Sequence, residues 1–144
     1  MRLDRIALEN FRNYAAQQVG FDPVCNVICG ENAQGKTNLL EAMVCLSMGK
    51  SHRTRADREL IRFDQEGFRL EASIRSRDRD FISHIDVGFG KKKRITVNQV
   101  PVKAAADLSA VLNTIFFCPE DLQLIKEGAA ARRRFIDVSL CQLR

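Results

Sequence analysis

Gly30-Glu31-Asn32-Ala33-Gln34-Gly35-Lys36-Thr37 is the stretch whose residue types and spacing spell out a chemistry. It fits the pattern G-x-x-x-x-G-K-[ST] at every fixed position. The two glycines allow backbone conformations, and a close approach, that a Cβ would obstruct. The N–H groups of the loop, those of Glu31, Asn32, Ala33 and Gln34 included, then converge on phosphate oxygens. The positive end of the following helix helps them. Lys36 reaches the β- and γ-phosphates, and the Thr37 hydroxyl is placed to ligate Mg²⁺. A glycine-rich turn with a capping threonine would account for part of this spelling. The strand-like run before the loop and the helix-like run after it favour a phosphate loop.

The loop does not reveal a reaction. Hydrolysis of a bound triphosphate needs an acidic site for Mg²⁺ and water, usually at the end of an apolar strand. The nearest candidates are Glu120 and Asp121 in "IFFCPED", where Pro119 breaks the direct strand-to-carboxylate geometry. Asp137 of "FID" falls in a helical pattern, so no catalytic residue is assigned. His52 has no evident nucleophile or carboxylate partner and reads as a surface or packing residue. Cys25, Cys29, Cys45, Cys118 and Cys141 make an odd count and lie mostly in apolar runs, which reads as buried, reduced thiols. Cys25 and Cys29 lack the further ligands that a zinc site needs.

The elements that must position the loop follow from periodicity. Leu3 to Leu8 alternates as a strand, "NFRNY" turns the chain, and the segment up to Phe21 is its hairpin partner. Val24 to Cys29 has the pattern of a buried strand. Leu39, Leu40, Met43, Val44 and Met48 recur at helical spacing from Lys36 onward, and Gly49 supplies the stop. Phe68, Leu70, Ala72 and Ile74 share one face of a strand, and Phe81, Ser83, Ile85, Val87 and Phe89 share one face of the next. Ile95 and Val97 alternate again after the "GKKKR" turn, completing an antiparallel meander. Ala104 to Leu112 reads as a short helix, and Thr114 to Cys118 as a buried strand. Phe135, Ile136, Ser139, Leu140 and Leu143 mark a helix still running at Arg144, the pattern of a piece of a longer protein.

With 144 residues, 45% hydrophobic and 28% charged, the chain suits one compact domain without an internal linker. No apolar run approaches membrane-spanning or signal-peptide length, so no membrane association is expected and the reading is cytoplasmic. From Lys50 to Arg94 there are 13 basic and 8 acidic residues, against 10 and 10 elsewhere, so the whole formal excess of +5 sits in that window. Such clustering suits a polyanion. Arg53, Arg55, Arg58, Lys91, Lys92, Lys93 and Arg94 are the candidate contacts to a DNA backbone, which needs only such a cluster.

Taken together, "LENFRNY", "GENAQGKTNLLEA", "KSHRTRADRELIRF", "FFCPEDLQLIKEG" and "RRRFID" resemble the RecF family of bacterial recombination-repair ATPases, whose heads are related to those of SMC and Rad50 proteins. They cover nearly all of the chain in family order. The resemblance implies an α/β P-loop NTPase fold, the first lobe of an ABC-type ATPase head carrying an antiparallel β subdomain. Residues 1–144 would be a partial head, with the helical arm and C-terminal lobe absent. It implies ATP and Mg²⁺ as cofactors, with Asn38 beside the α-phosphate and Arg12 and Asn13 approaching the nucleotide. Glu120, Asp121 and Gln123 would lie where such heads sense γ-phosphate and metal. It further implies DNA binding in repair and replication, with help in recombinase loading. An ATP-dependent homodimer of the full-length protein and partners such as RecR are implied too, with a weak DNA-dependent ATPase activity of the parent family.

Two other readings remain. A P-loop kinase acting on a small metabolite would carry placed carboxylates and an arginine-bearing lid, which the long β meander does not suit. A DNA-binding module with a vestigial loop would need neither Lys36 nor Thr37.

Overall fold

The computed structural model describes residues 1–76, 79–88, 92–102, 107–108, 110–118, 128–129, 133 and 136–137. Alternation builds a six-stranded sheet from β1 (Arg2–Phe11), β2 (Tyr14–Gly20), β3 (Gly67–Arg75), β4 (Asp80–Gly88), β5 (Arg94–Val97) and β6 (Val100–Pro101). The strand order is β2-β1-β3-β4-β5-β6, and every pairing is antiparallel. Opposite residues share a face, so Ile6 faces Ala72, Leu8 faces Leu70, and Leu70 in turn faces Ile85. All five are buried. Burying such an aliphatic side chain contributes about 1.5–3 kcal/mol, which makes this one face the main adhesive surface.

The helix α1 (Lys36–Met48) lies on that face. Leu39, Ala42, Cys45 and Leu46 join the same buried cluster as Ile6, Phe68 and Ile85. Phe11 at the end of β1 meets Phe68 edge to face, with ring centroids 5.3 Å apart. Gly49 ends the helix as its sequence position predicts: it is left-handed (φ 70°) and donates its N–H to the Cys45 carbonyl at 2.8 Å. Between β5 and β6, Asn98 and Gln99 both have positive φ (49° and 67°), the demand of a two-residue hairpin turn. In β5 the buried residue is Thr96, with Ile95 and Val97 only half-buried against the core.

Two apolar runs depart from expectation. Val24 to Cys29 is not a buried strand: Val24 is 91% and Val27 83% exposed, and Cys25 and Cys29 are exposed free thiols. Local side-chain bonds organise this segment instead. Asp22 N–H donates to Asn26 Oδ1, Val24 N–H to Asp22 Oδ1, and Asn26 Nδ2 to the Asp22 carbonyl, each at 2.8 Å. Thr114 to Cys118 is likewise without strand pairing, and Ile115 and Phe117 are exposed. An apolar run becomes a buried strand only beside a neighbouring strand that accepts its hydrogen bonds, and neither run has one among the described residues.

Phe89, Lys91, Pro119, Glu120, Asp121, Gln123, Phe135 and Cys141 lie outside the described residues, as do residues 104–106 and 109 of the Ala104–Leu112 segment and most of the last helical pattern.

Candidate nucleotide site

The phosphate-loop segment connects the exposed run to α1. Gly35 is the residue before the helix and has φ 105°, a left-handed conformation that a side chain would strain. Space excludes a side chain as well. A Cβ there would stand 2.7 and 2.8 Å from the Asn13 amide and 3.0 Å from the Tyr14 hydroxyl. Gly30 has φ 145°, and Ala33 is the one non-glycine of the loop with positive φ (65°).

The helix start is built for an anion. No side chain caps α1, and no acidic residue occupies its first turn. The first N–H groups of a helix have no intrahelical acceptor, so those of Lys36, Thr37 and Asn38 point outward with the positive end of the helix dipole. Lys36 Nζ donates to the carbonyls of Gly30 (2.7 Å) and Glu31 (2.6 Å), which folds the ammonium across the loop. Two of its three donors are used, and the third remains for a phosphate oxygen. Glu31, Asn32, Ala33, Gln34 and Thr37 are exposed, so the Thr37 hydroxyl is open to a metal. These features fit a triphosphate and its Mg²⁺, which keeps several waters and needs few protein ligands.

The β1–β2 hairpin fixes the loop from the side. Asn13 Nδ2 donates to the Gln34 carbonyl (3.3 Å), and the Tyr14 hydroxyl donates to the Gly35 carbonyl (3.1 Å). Burial raises the Tyr14 phenol above its ordinary pKa, so it remains a donor throughout the neutral range. Asn38 Nδ2 donates to Asn13 Oδ1 (2.9 Å), closing a latch between the hairpin turn and the first turn of α1.

Beneath the latch sits a charge cluster that motif reading misses. Glu41 is fully buried in α1. Arg12 Nε donates to its Oε2 (2.9 Å) and Arg12 Nη2 to its Oε1 (2.7 Å), a bidentate pair. Ser51 Oγ donates to Oε1 (2.5 Å), and Arg53 Nη1 lies 3.2 Å from Oε2. Burial by itself would raise the Glu41 pKa. The hydrogen bonds from Arg12 and Ser51 and the charges of Arg12 and Arg53 outweigh it and hold the carboxyl below its ordinary value. The available signal was a lone acid inside the apolar run Leu39-Leu40-Glu41-Ala42-Met43-Val44. The cluster also explains why Arg12 tolerates φ 53°: its remaining guanidinium nitrogen donates to the Glu59 carbonyl (2.8 Å), so surrounding contacts over-determine its conformation. One helix turn above, Cys45 is pushed up to about 12 by burial and then by Glu41, which leaves it an inert thiol.

The basic residues divide. Arg53 Nη1 turns inward, 3.0 Å from Asn38 Oδ1, and so joins the loop assembly. Lys93 pairs with Asp57 (2.7 Å), binding the β4–β5 connection to a short 3-10 turn at Asp57–Leu60. That bond brings the "SHRTRADR" stretch and residues 92–94 together, with Arg55, Arg58, Lys92 and Arg94 exposed. His52 stacks at a tilt on Phe116, ring centroids 4.4 Å apart, consistent with a packing role. Among the described residues no cluster of His, Cys, Asp and Glu could hold a metal ion, and no helix is long and apolar enough to cross a membrane.

Comparison with known proteins agrees with this architecture. A family model described as AAA domain matches residues 5–135. The chain is 44% identical over 144 residues to "DNA replication and repair protein RecF" of Acetivibrio thermocellus, covering all of this chain and 39% of that protein. It therefore spans about two fifths of the length of the curated relatives it matches. A solved structure of the recombination mediator protein RecF-ATPrS in the RecFOR pathway superimposes with a TM-score of 0.93 at 35% identity, over 99% of this chain and 39% of that one. A structure from a study of SMC ATPases shares the fold, with a TM-score of 0.75 at 17% identity over 94% of this chain and 97% of that one. The chain belongs to the AAA domain family, and relatives named RecF match it over its whole length.

Proposed function

We propose that this chain is the ATP-binding lobe of a RecF-like DNA recombination, repair and replication protein. The observation that carries the reading is the uncapped, acid-free start of α1 behind a loop that Asn13 and Tyr14 hold in a conformation only glycine permits at residue 35. Lys36 and the outward N–H groups would hold the β- and γ-phosphates, and Asn38 would stand at the α-phosphate. Thr37 would hold Mg²⁺, which would supply neutralisation of phosphate charge there. Asn13 and Arg12 act on the nucleotide through the latch and the Glu41 cluster, and Arg53 completes that side of the site.

The exposed Arg55, Arg58, Lys92 and Arg94 supply a backbone-binding surface for DNA, and Lys91 extends the same stretch of sequence. Support comes from the Lys93–Asp57 bond that assembles these residues and from relatives named as DNA replication and repair proteins. In the longer protein, ATP would bring two such heads together, with recombination mediators such as RecR as partners. Binding rather than hydrolysis is the activity proposed for this lobe. The small-molecule kinase reading has no such support, since the segment after the basic stretch is an antiparallel sheet and not a lid.

Thermal unfolding with Mg·ATP tests the reading. Ligand at a hundred times its dissociation constant stabilises the folded state by about 2.7 kcal/mol, a rise of roughly 8 °C for a chain of this size. No rise at saturating nucleotide would contradict it.

A further inference from the structure

Beside the loop assembly opens a cavity of about 790 Å³, whose lining includes Arg12, Asn13, Asn38, Arg53 and Phe63. Its size is that of a small-ligand site. Phe63 is 86% exposed. A solitary exposed phenylalanine is unremarked on many surfaces, but this one is held out by a defined piece of backbone. Arg12 N–H donates to the Leu60 carbonyl (2.7 Å), Phe11 bridges to Ile61, and Arg62 N–H donates to the Asn10 carbonyl (2.8 Å). Gln65 N–H then closes a turn onto the Arg62 carbonyl (3.1 Å), with Asp64 left-handed at φ 60°. Phe63 stands at the corner of that turn. The hairpin that clamps the phosphate loop through Asn13 and Tyr14 thus also carries the segment bearing the ring, through Asn10, Phe11 and Arg12.

We infer that Phe63 is the base platform of the site, the ring against which the purine of ATP stacks once its phosphates are seated at Gly30–Thr37. This rests on the nucleotide reading above. The phosphate chain ends at Asn38 in that reading, and the cavity begins at Asn38 and Asn13, so the nucleoside has this space to enter. Its flat base needs an apolar face, and Phe63 supplies one at the cavity wall. Base–aromatic stacking is strong enough to set affinity and tolerant of how the edge of the base is read. The cationic neighbours Arg12, Arg53 and Arg62 suit the ribose-phosphate side of such a ligand.

The chain contains no tryptophan, so F63W introduces a single indole reporter at an exposed position where folding is not at risk. Mg·ATP should change its emission saturably, whereas Mg·tripolyphosphate, which fills only the loop, should leave it unchanged. Phe63→Ala should weaken Mg·ATP by roughly tenfold and leave tripolyphosphate affinity as in the wild type. Equal emission changes with both ligands, or a Phe63→Ala chain that binds ATP as well as the wild type, would overturn the platform and leave the phosphate loop intact. A wild type that binds neither ATP nor tripolyphosphate would overturn both readings together.

Discussion

Arg12 grips the fully buried carboxylate of Glu41 through two hydrogen bonds, 2.9 and 2.7 Å long, across 29 residues of sequence. The pair joins the hairpin turn to α1 directly under the phosphate loop, so its first consequence is for stability. Removing one partner of a buried pair strands the other charge and typically costs 3–5 kcal/mol. Ser51 and Arg53 still reach Glu41, which favours the low end. Arg12→Ala should therefore lose about 3 kcal/mol, read as a lower urea midpoint with an unchanged slope.

The same carboxylate sets an acid limit. Its folded-state pKa lies below the ordinary value of 4.5, so the folded chain binds fewer protons than the unfolded chain as pH falls through that range. The stabilisation is complete above the unfolded pKa and is lost as pH drops through the lower folded one. Glu41→Gln should be less stable than the wild type at neutral pH, and its stability should fall less steeply below about pH 4.5. Urea titrations at stepped pH provide the check, and parallel acid limbs for the two chains would count against the cluster.

Glycine at position 35 answers to two constraints, and at position 30 to one. A Cβ on Gly35 meets Asn13 and Tyr14, whereas one on Gly30 meets nothing within 4 Å, although both backbones have positive φ. Gly35→Ala should cost about 2 kcal/mol and Gly30→Ala less. Adding Asn13→Ala should recover part of the Gly35→Ala loss, a non-additivity that a denaturation cycle measures.

Part of this site is legible in the sequence alone. The helix Lys36–Met48 with its Gly49 stop and the alternation of Phe68, Leu70, Ala72 and Ile74 reappear in the fold. Each is a local rule, in which backbone geometry and side-chain type decide within a few residues. The features that sequence misjudges or hides depend on remote partners. Val24–Cys29 and Thr114–Cys118 are apolar enough to be strands, but nothing local says whether a neighbour exists. The convergence of Arg12, Ser51 and Arg53 on Glu41 arises from folding and leaves only an odd acid in an apolar helix as its trace. Arg53, in a basic stretch that reads as a polyanion surface, also reaches Asn38.

DNA binding should reflect that division. Backbone contacts release condensed counterions, so affinity should fall steeply with salt and differ little between unrelated sequences. Neutralising Arg55, Arg58 and Lys92 together should flatten the logarithmic salt slope by about one unit for each phosphate that no longer meets a cation. Fluorescence anisotropy over a salt series reads this out. An unchanged slope would move the DNA surface away from these residues.

Nucleotide binding by the loop underlies every role proposed for this lobe, and isothermal titration of Mg·ATP into the wild type and Lys36→Ala tests it most directly. The ammonium already spans the loop from Gly30 to Glu31, so its removal deletes the charge partner of the terminal phosphates without touching the core. The wild type should bind saturably, and Lys36→Ala should lose at least about tenfold in affinity, the value of a charge-assisted contact to phosphate. Equal affinity in the two chains would contradict the phosphate-loop assignment.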